Sequence, residues 1–222
     1  ADGGDRAEIF DQAMHAQAME RLDLEHAMRK GLLKQEFEAY FQPIVHLNGG
    51  GMAGFEALAR WKHPQRGLIN PVTFIPIAEE SGLIEPLGLL ILDRSLAQWR
   101  IWEDAGYKGL FMSVNLSAKQ LEGGDLASEV AAALKRHRMP ASALKLEVTE
   151  SLLMRDPAKA EARLHELKAL GIKLSMDDFG TGYSSLSYLH RFPLDTLKAD
   201  RSFVMRIQED GSQLEMLRTI IS

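Results

Sequence analysis

Apolar residues change their spacing several times along the chain, and each change predicts a different element. From Ile9 to Leu33, the residues Phe10, Met14, Ala18, Leu22, Met28 and Leu32 recur at mostly helical spacing among charges, which predicts one or two amphipathic helices leading into the domain proper. Phe37 to Leu47 and Met52 to Trp61 are strand-like runs joined by the turn Asn48-Gly49-Gly50-Gly51. A connection that short cannot carry a parallel crossover, so these two strands are expected to be antiparallel.

Helices and strands alternate from there on. Asn70 and Pro71 supply the N-cap and first position of a helix that Gly82 closes, and a second helix is expected from about Pro86 to Gly106. Strands are expected at Leu110 to Leu116, Ala143 to Thr149, Ile172 to Met176 and Thr196 to Asp200. Helices separate them, near Leu126 to His137, from Asp156-Pro157 to Gly171, and over the short stretch Ser184 to His190. Such alternation predicts a parallel sheet covered by helices, either doubly wound or a (β/α) barrel. Neither G-x-G-x-x-G nor G-x-x-x-x-G-K-[ST] occurs, so dinucleotide-fold and P-loop chemistry are not indicated. A TIM barrel has eight strands in about 250 residues. Six are counted here, and the chain stops at Ser222 inside what reads as the next helix, so the last two βα units are expected to be missing.

Composition narrows the function. Lys plus Arg (26) against Asp plus Glu (31) gives a net charge of -5, which argues against a basic surface for a DNA or RNA duplex. The absence of cysteine removes disulfides, thiolate nucleophiles and Cys-ligated zinc, and suits a cytoplasmic protein. The longest apolar stretch, Leu87 to Leu92, is far short of the roughly 20 residues that cross a bilayer. Opening on Ala1 rather than Met, the chain is expected to be an excerpt of a longer protein.

Polar residues fall at the carboxyl ends of five apolar runs: Glu56, Asn115, Glu147, Asp177 with Asp178, and Lys198. In a barrel those ends build the active site. Period-two alternation sets Glu147 on the face opposite Leu146 and Val148, whereas Glu150 falls on the other parity and suits support of a neighbouring loop. Four carboxylates in one pocket repel by roughly 4 kcal/mol per pair at 4 Å and an effective dielectric of 20. Lys198 and Arg60 cannot offset that, but two divalent cations can. All-oxygen ligands select hard ions such as Mg²⁺ or Mn²⁺. A paired-metal site of this kind suits in-line attack on a phosphodiester, with Lys198 holding or orienting the attacking water. No two of the seven histidines stand at i and i+4, so each is read as a surface or core residue. Asp200 reads as a ligand or, at least as well, as a structural ion-pair partner, and is left out of the candidate site.

These residues carry a resemblance. Gly54-Phe55-Glu56-Ala57-Leu58-Ala59-Arg60-Trp61, Asn115-Leu116-Ser117, Glu147-Val148-Thr149-Glu150-Ser151, Asp177-Asp178-Phe179-Gly180-Thr181-Gly182-Tyr183-Ser184-Ser185-Leu186 and Lys198-Ala199-Asp200, in this order, resemble the EAL domain family from about Phe37 to Val204. The resemblance implies a modified TIM (β/α)8 barrel with an antiparallel first strand that hydrolyses cyclic di-GMP to linear pGpG with Mg²⁺ or Mn²⁺. Carried over by position, it implies metal ligands at Glu56, Asn115, Glu147, Asp177 and Asp178, and catalytic roles for Glu56, Asp178 and Lys198. It implies further that Glu150 steadies the loop Gly180 to Ser185, and that Gln42, Leu58 and Arg60 contact the substrate, Arg60 through its planar fork. A homodimer through that loop and the following helix is implied, as is residues 1–36 being a linker from an upstream GGDEF or sensory module, with 37–222 the phosphodiesterase domain. Ala59 and Ala199 replace larger apolar residues of the family, and the family's glutamate on strand seven and glutamine on strand eight have no counterpart before Ser222.

Two other readings compete. A silent cyclic di-GMP receptor would lack acids at the metal positions, whereas Glu56, Glu147, Asp177 and Asp178 are all present. A barrel lyase or aldolase with a single metal would have no need of the Asp177-Asp178 pair.

Overall fold

Strands and helices alternate along residues 12–179 and 190–200, the part of the chain that the computed structural model describes. The first helix, α1 (Gln12–Leu33), is seated only through its second half, where Leu24 and Met28 are buried and the helix packs on α2 (Pro71–Ser81). Met14 and Leu22, part of the expected apolar stripe, are exposed, whereas Met28 of the same stripe is buried. Strands β1 (Phe37–Val45) and β2 (Met52–His63) form the expected antiparallel hairpin, in register from Phe37 opposite Trp61 to Ile44 opposite Gly54. A three-residue strand, β3 (Gly67–Ile69), folds back on the end of β2. It brings the strands among the described residues to seven rather than the expected six, and its two apolar residues are too short a run to show a period.

The remaining order is α2, α3 (Ile84–Asp104), β4 (Phe111–Asn115), α4 (Ala118–Glu122), α5 (Leu126–His137), β5 (Leu144–Thr149), α6 (Glu150–Arg155), α7 (Pro157–Ala169), β6 (Lys173–Phe179) and β7 (Thr196–Ala199). The predicted caps are in place. Asn70 Oδ1 accepts the Val72 N–H at 3.1 Å, and Gly82 takes a left-handed φ of 76°. Helix α4 was not anticipated, though its signal is a capping box in which Ser117 and Gln120 satisfy each other's backbone N–H groups.

Sheet order is β1-β2-β4-β5-β6-β7, parallel from β2 onward, with β1 antiparallel at one edge. This is the open-sheet portion of a TIM-like barrel. Gly54 lets β2 and β4 meet, since a Cβ there would lie 2.3 Å from the Phe111 carbonyl oxygen. One parity of each central strand (Met112, Val114, Leu144, Leu146, Val148, Leu174 and Met176) is buried in the core with Leu87, Leu96, Val130, Leu164 and Leu167 of the helices. The other parity carries Ser113, Glu147, Ser175 and Asp177. A stacked pair, Phe37 and Trp61 with centroids 5.0 Å apart, closes the β1–β2 end against Phe74. Among the described residues no helix is long and apolar enough to cross a membrane.

Asp195 ties β7 to β6 at the end remote from the polar strand ends. Burial disfavours its carboxylate, but bonds from Lys168, the Leu174 N–H and Lys173 outweigh that and hold its pKa below the ordinary range. Asp195→Ala is expected to lower stability at neutral pH by about 1–3 kcal/mol, because the N–H of buried Leu174 loses its acceptor and two lysines lose their partner. A carboxyl with a depressed folded pKa stabilises above its unfolded pKa and stops doing so as pH falls through the folded one. Urea melts should therefore show the wild-type advantage at pH 7 and its disappearance in strong acid; a gap independent of pH would refute the account.

The loop Gly180 to Ser185, the stretch Ser184 to His190 except His190 itself, the dimer face expected there and the helix expected after Asp200 lie outside the described residues.

Candidate metal centre

Register places the polar residues before any side chain is considered. Glu56 of β2 stands opposite Gln42 of β1 and Ser113 of β4. Asn115, the last residue of β4, stands opposite Glu147 of β5, while Thr149 stands opposite Asp177 of β6. Lys198 lies on β7. The alternation expected at Glu147 holds: its neighbours Leu146 and Val148 join the core, and Glu147 reaches the opposite face with 1% exposure.

The side chains of four strands then meet. Lys198 Nζ lies 3.1 Å from Glu56 Oε2, 2.5 Å from Glu147 Oε2 and 2.9 Å from Asp177 Oδ2. One oxygen from each of these three carboxylates lies within 4.8 Å of the others. Asn115 Nδ2 donates to Glu56 Oε1 at 3.0 Å, which leaves an acceptor oxygen on the same side chain. The second oxygen of Glu147 accepts from Ser113 Oγ at 2.5 Å. Ser113 was not singled out from the sequence, where a small residue inside Phe111-Met112-Ser113-Val114 reads as core.

Three carboxylates against one ammonium leave two negative charges in a partly buried space. Burial raises the Glu147 carboxyl above its ordinary pKa, against hydrogen bonds from Lys198 and Ser113 that favour its ionised form. Burial also disfavours the Lys198 ammonium, yet its bonds to Glu147 and Asp177 and the nearby charges prevail and raise its pKa above that of an ordinary lysine. The surplus charge and the all-oxygen donor set of Glu56, Asn115, Glu147 and Asp177 fit a hard divalent cation.

Asp178 is placed differently. It has a left-handed φ of 57° where the β6–β7 register shifts between Met176 and Phe179, and it is exposed. Partial desolvation and the charges of Asp177 and Asp200 raise its pKa. The structure therefore brings Glu56, Asn115, Glu147, Asp177 and Lys198 together and sets Asp178 beside that group. Glu150 is the first residue of α6, not part of β5, and is buried; the loop it is expected to steady lies outside the described residues.

Leu58 and Arg60 border a cavity of about 290 Å³ whose walls include Ile75, Glu79, Asn115 and Gln120. Arg60 donates to the Ala59 carbonyl at 2.8 Å and lies 5.6 Å from the Tyr40 ring centroid. Gln42 is exposed on β1.

Similarity to known proteins extends over most of the chain. A family model described as the EAL domain matches residues 23–222. The chain is 43% identical over 214 residues to the bifunctional diguanylate cyclase/cyclic di-GMP phosphodiesterase MucR of Pseudomonas aeruginosa, covering 96% of this chain and 31% of that protein. It is 40% identical over 222 residues to the cyclic di-GMP phosphodiesterase NbdA of the same organism, covering 100% of this chain and 28% of that protein. It thus spans less than a third of either relative. Among solved structures, the PaMucR phosphodiesterase in complex with c-di-GMP superposes with a TM-score of 0.83 at 43% identity, covering 90% of this chain and 81% of that one.

Proposed function

The chain belongs to the EAL domain family, and from that premise we propose that it hydrolyses cyclic di-GMP to linear pGpG in a reaction dependent on Mg²⁺ or Mn²⁺. The observation that carries the reading is the convergence of Glu56, Glu147 and Asp177 on one point, with Asn115 bonded to Glu56. The phosphodiesterase names of MucR and NbdA and the c-di-GMP complex of PaMucR add to it.

Glu56, Asn115, Glu147 and Asp177 would hold one cation, and Asp178, beside Asp177, would contribute to a second. Bound divalent ions supply a Lewis acid and lower the pKa of water, which makes a nucleophile at neutral pH. Lys198 is an ammonium, so its part is to donate: it orients the attacking oxygen or meets negative charge developing on the phosphate. That oxygen attacks phosphorus, the bond from phosphorus to the 3′ oxygen breaks, and the leaving oxygen takes up a proton. Gln42, Leu58 and Arg60 fit the substrate, with the cavity beside Leu58 offering apolar walls to a base and Arg60 a planar fork to a phosphate. Glu150 steadies the loop 180–185. Residues 1–36 would join an upstream GGDEF or sensory module, and the protein would act in the cytoplasm as a homodimer.

Incubation with cyclic di-GMP and Mn²⁺, followed by chromatography, is expected to yield pGpG from the wild-type chain and none from Glu56→Ala. Retained nucleotide binding without product would turn the reading to a silent receptor.

A further inference from the structure

We propose that Ser113 is a positioning residue for the cation site, one that fixes which oxygen of Glu147 is presented to the ion. The inference rests on the metal-centre reading above and adds a residue to it. Ser113 is fully buried in a strand whose other central residues are apolar, and its hydroxyl donates to Glu147 Oε1 at 2.5 Å. The other oxygen, Oε2, is the one 2.5 Å from Lys198 and therefore the one that faces Glu56 and Asp177. A glutamate has three side-chain torsions, and a carboxylate held at one oxygen by a backbone-anchored hydroxyl has one orientation left to offer. Outer partners of this kind orient ligands, and removing them usually weakens metal binding 10- to 100-fold.

The molecule contains its own control. Ser175 lies directly opposite Glu147 on β6 and is as fully buried as Ser113, yet among the described residues its Oγ has no hydrogen-bond partner. Two serines flank one carboxylate, and only one of them holds it. Loss of a hydroxyl from this face should matter at 113 and not at 175.

Mn²⁺ titration of the full chain, read by the electron paramagnetic resonance of free Mn²⁺, tests this without recourse to turnover. Ser113→Ala is expected to weaken Mn²⁺ binding on the order of 10- to 100-fold with an unchanged circular dichroism spectrum, and Ser175→Ala to bind as the wild type does. Equal affinity in Ser113→Ala and wild type would overturn the proposal, as would an equal loss in both variants. Should Ser113→Ala fail to fold, Ser113→Cys replaces the strong donor by a weak one, and wild-type affinity in that folded variant is likewise fatal. A wild-type chain that takes up no Mn²⁺ would instead bring down the metal-centre reading itself, and this inference with it.

Discussion

Lys198→Met is expected to destabilise the metal-free chain by about 3–5 kcal/mol, the cost of breaking a buried ion pair from one side. Three carboxylates face that ammonium at 2.5 to 3.1 Å, and one of them, Glu147, is 1% exposed. Methionine keeps the length of the stem and removes the ammonium with its three donors, so packing of the stem is not the cause. With roughly 2–4 °C of melting temperature per kcal/mol for a domain of this size, the midpoint should fall by about 10 °C. Mn²⁺ should restore much of the difference, because a ligand that binds only the folded state stabilises it in proportion to RT ln(1 + [L]/Kd). Turnover should not return with it, since the donor that meets the reacting phosphate is gone; a loss of 10²-fold or more is expected. Calorimetry with and without Mn²⁺ decides the point. An unchanged melting temperature in the metal-free variant would mean that Lys198 neutralises nothing.

The site of that prediction was only partly legible in the sequence. Strand-helix alternation, the Asn70-Pro71 start and the Gly82 stop are local signals, and all three correspond to the elements found. The inward parity of Glu147 follows from period two alone. What a single strand cannot reveal is height: Ser113 and Glu147 belong to different strands and meet only because parallel pairing sets Asn115 opposite Glu147. Asp178 adds a local case: a shift in the β6–β7 pairing and a left-handed φ, neither of which a sequence displays, fix its place beside Asp177 at the end of β6. The three-residue strand β3 and the helices α4 and α6, each of fewer than two turns, are too short to express their period and so do not stand out from the loops beside them. In α1 the apolar spacing predicts the helix, and of its stripe Met28 is buried while Met14 and Leu22 are exposed; Leu24, outside that stripe, is buried as well.

Glu147→Gln should separate function from stability where Lys198→Met joins them. Glutamine matches the shape of glutamic acid and can keep both neighbours: its carbonyl oxygen accepts from Lys198, and its amide donates to a Ser113 hydroxyl turned to accept. Lys198 retains Glu56 and Asp177. The net charge of the cluster changes from two negative to one, so Mn²⁺ affinity should fall by 10²-fold or more and turnover with it. Stability should respond in the opposite sense. Burial raises the pKa of Glu147 in the folded state, so the proton is held more tightly there than in the unfolded chain. Such a group stabilises fully below its unfolded pKa and loses that contribution as pH rises through the folded value. The amide, which imitates the protonated form at every pH, escapes that loss. The metal-free variant should accordingly gain on the wild type as pH rises from about 4 to 7, measured by urea melts across that range. A variant that instead loses ground with rising pH would show that the ionised carboxylate, in its bonds to Lys198 and Ser113, is worth more to the fold than its burial costs.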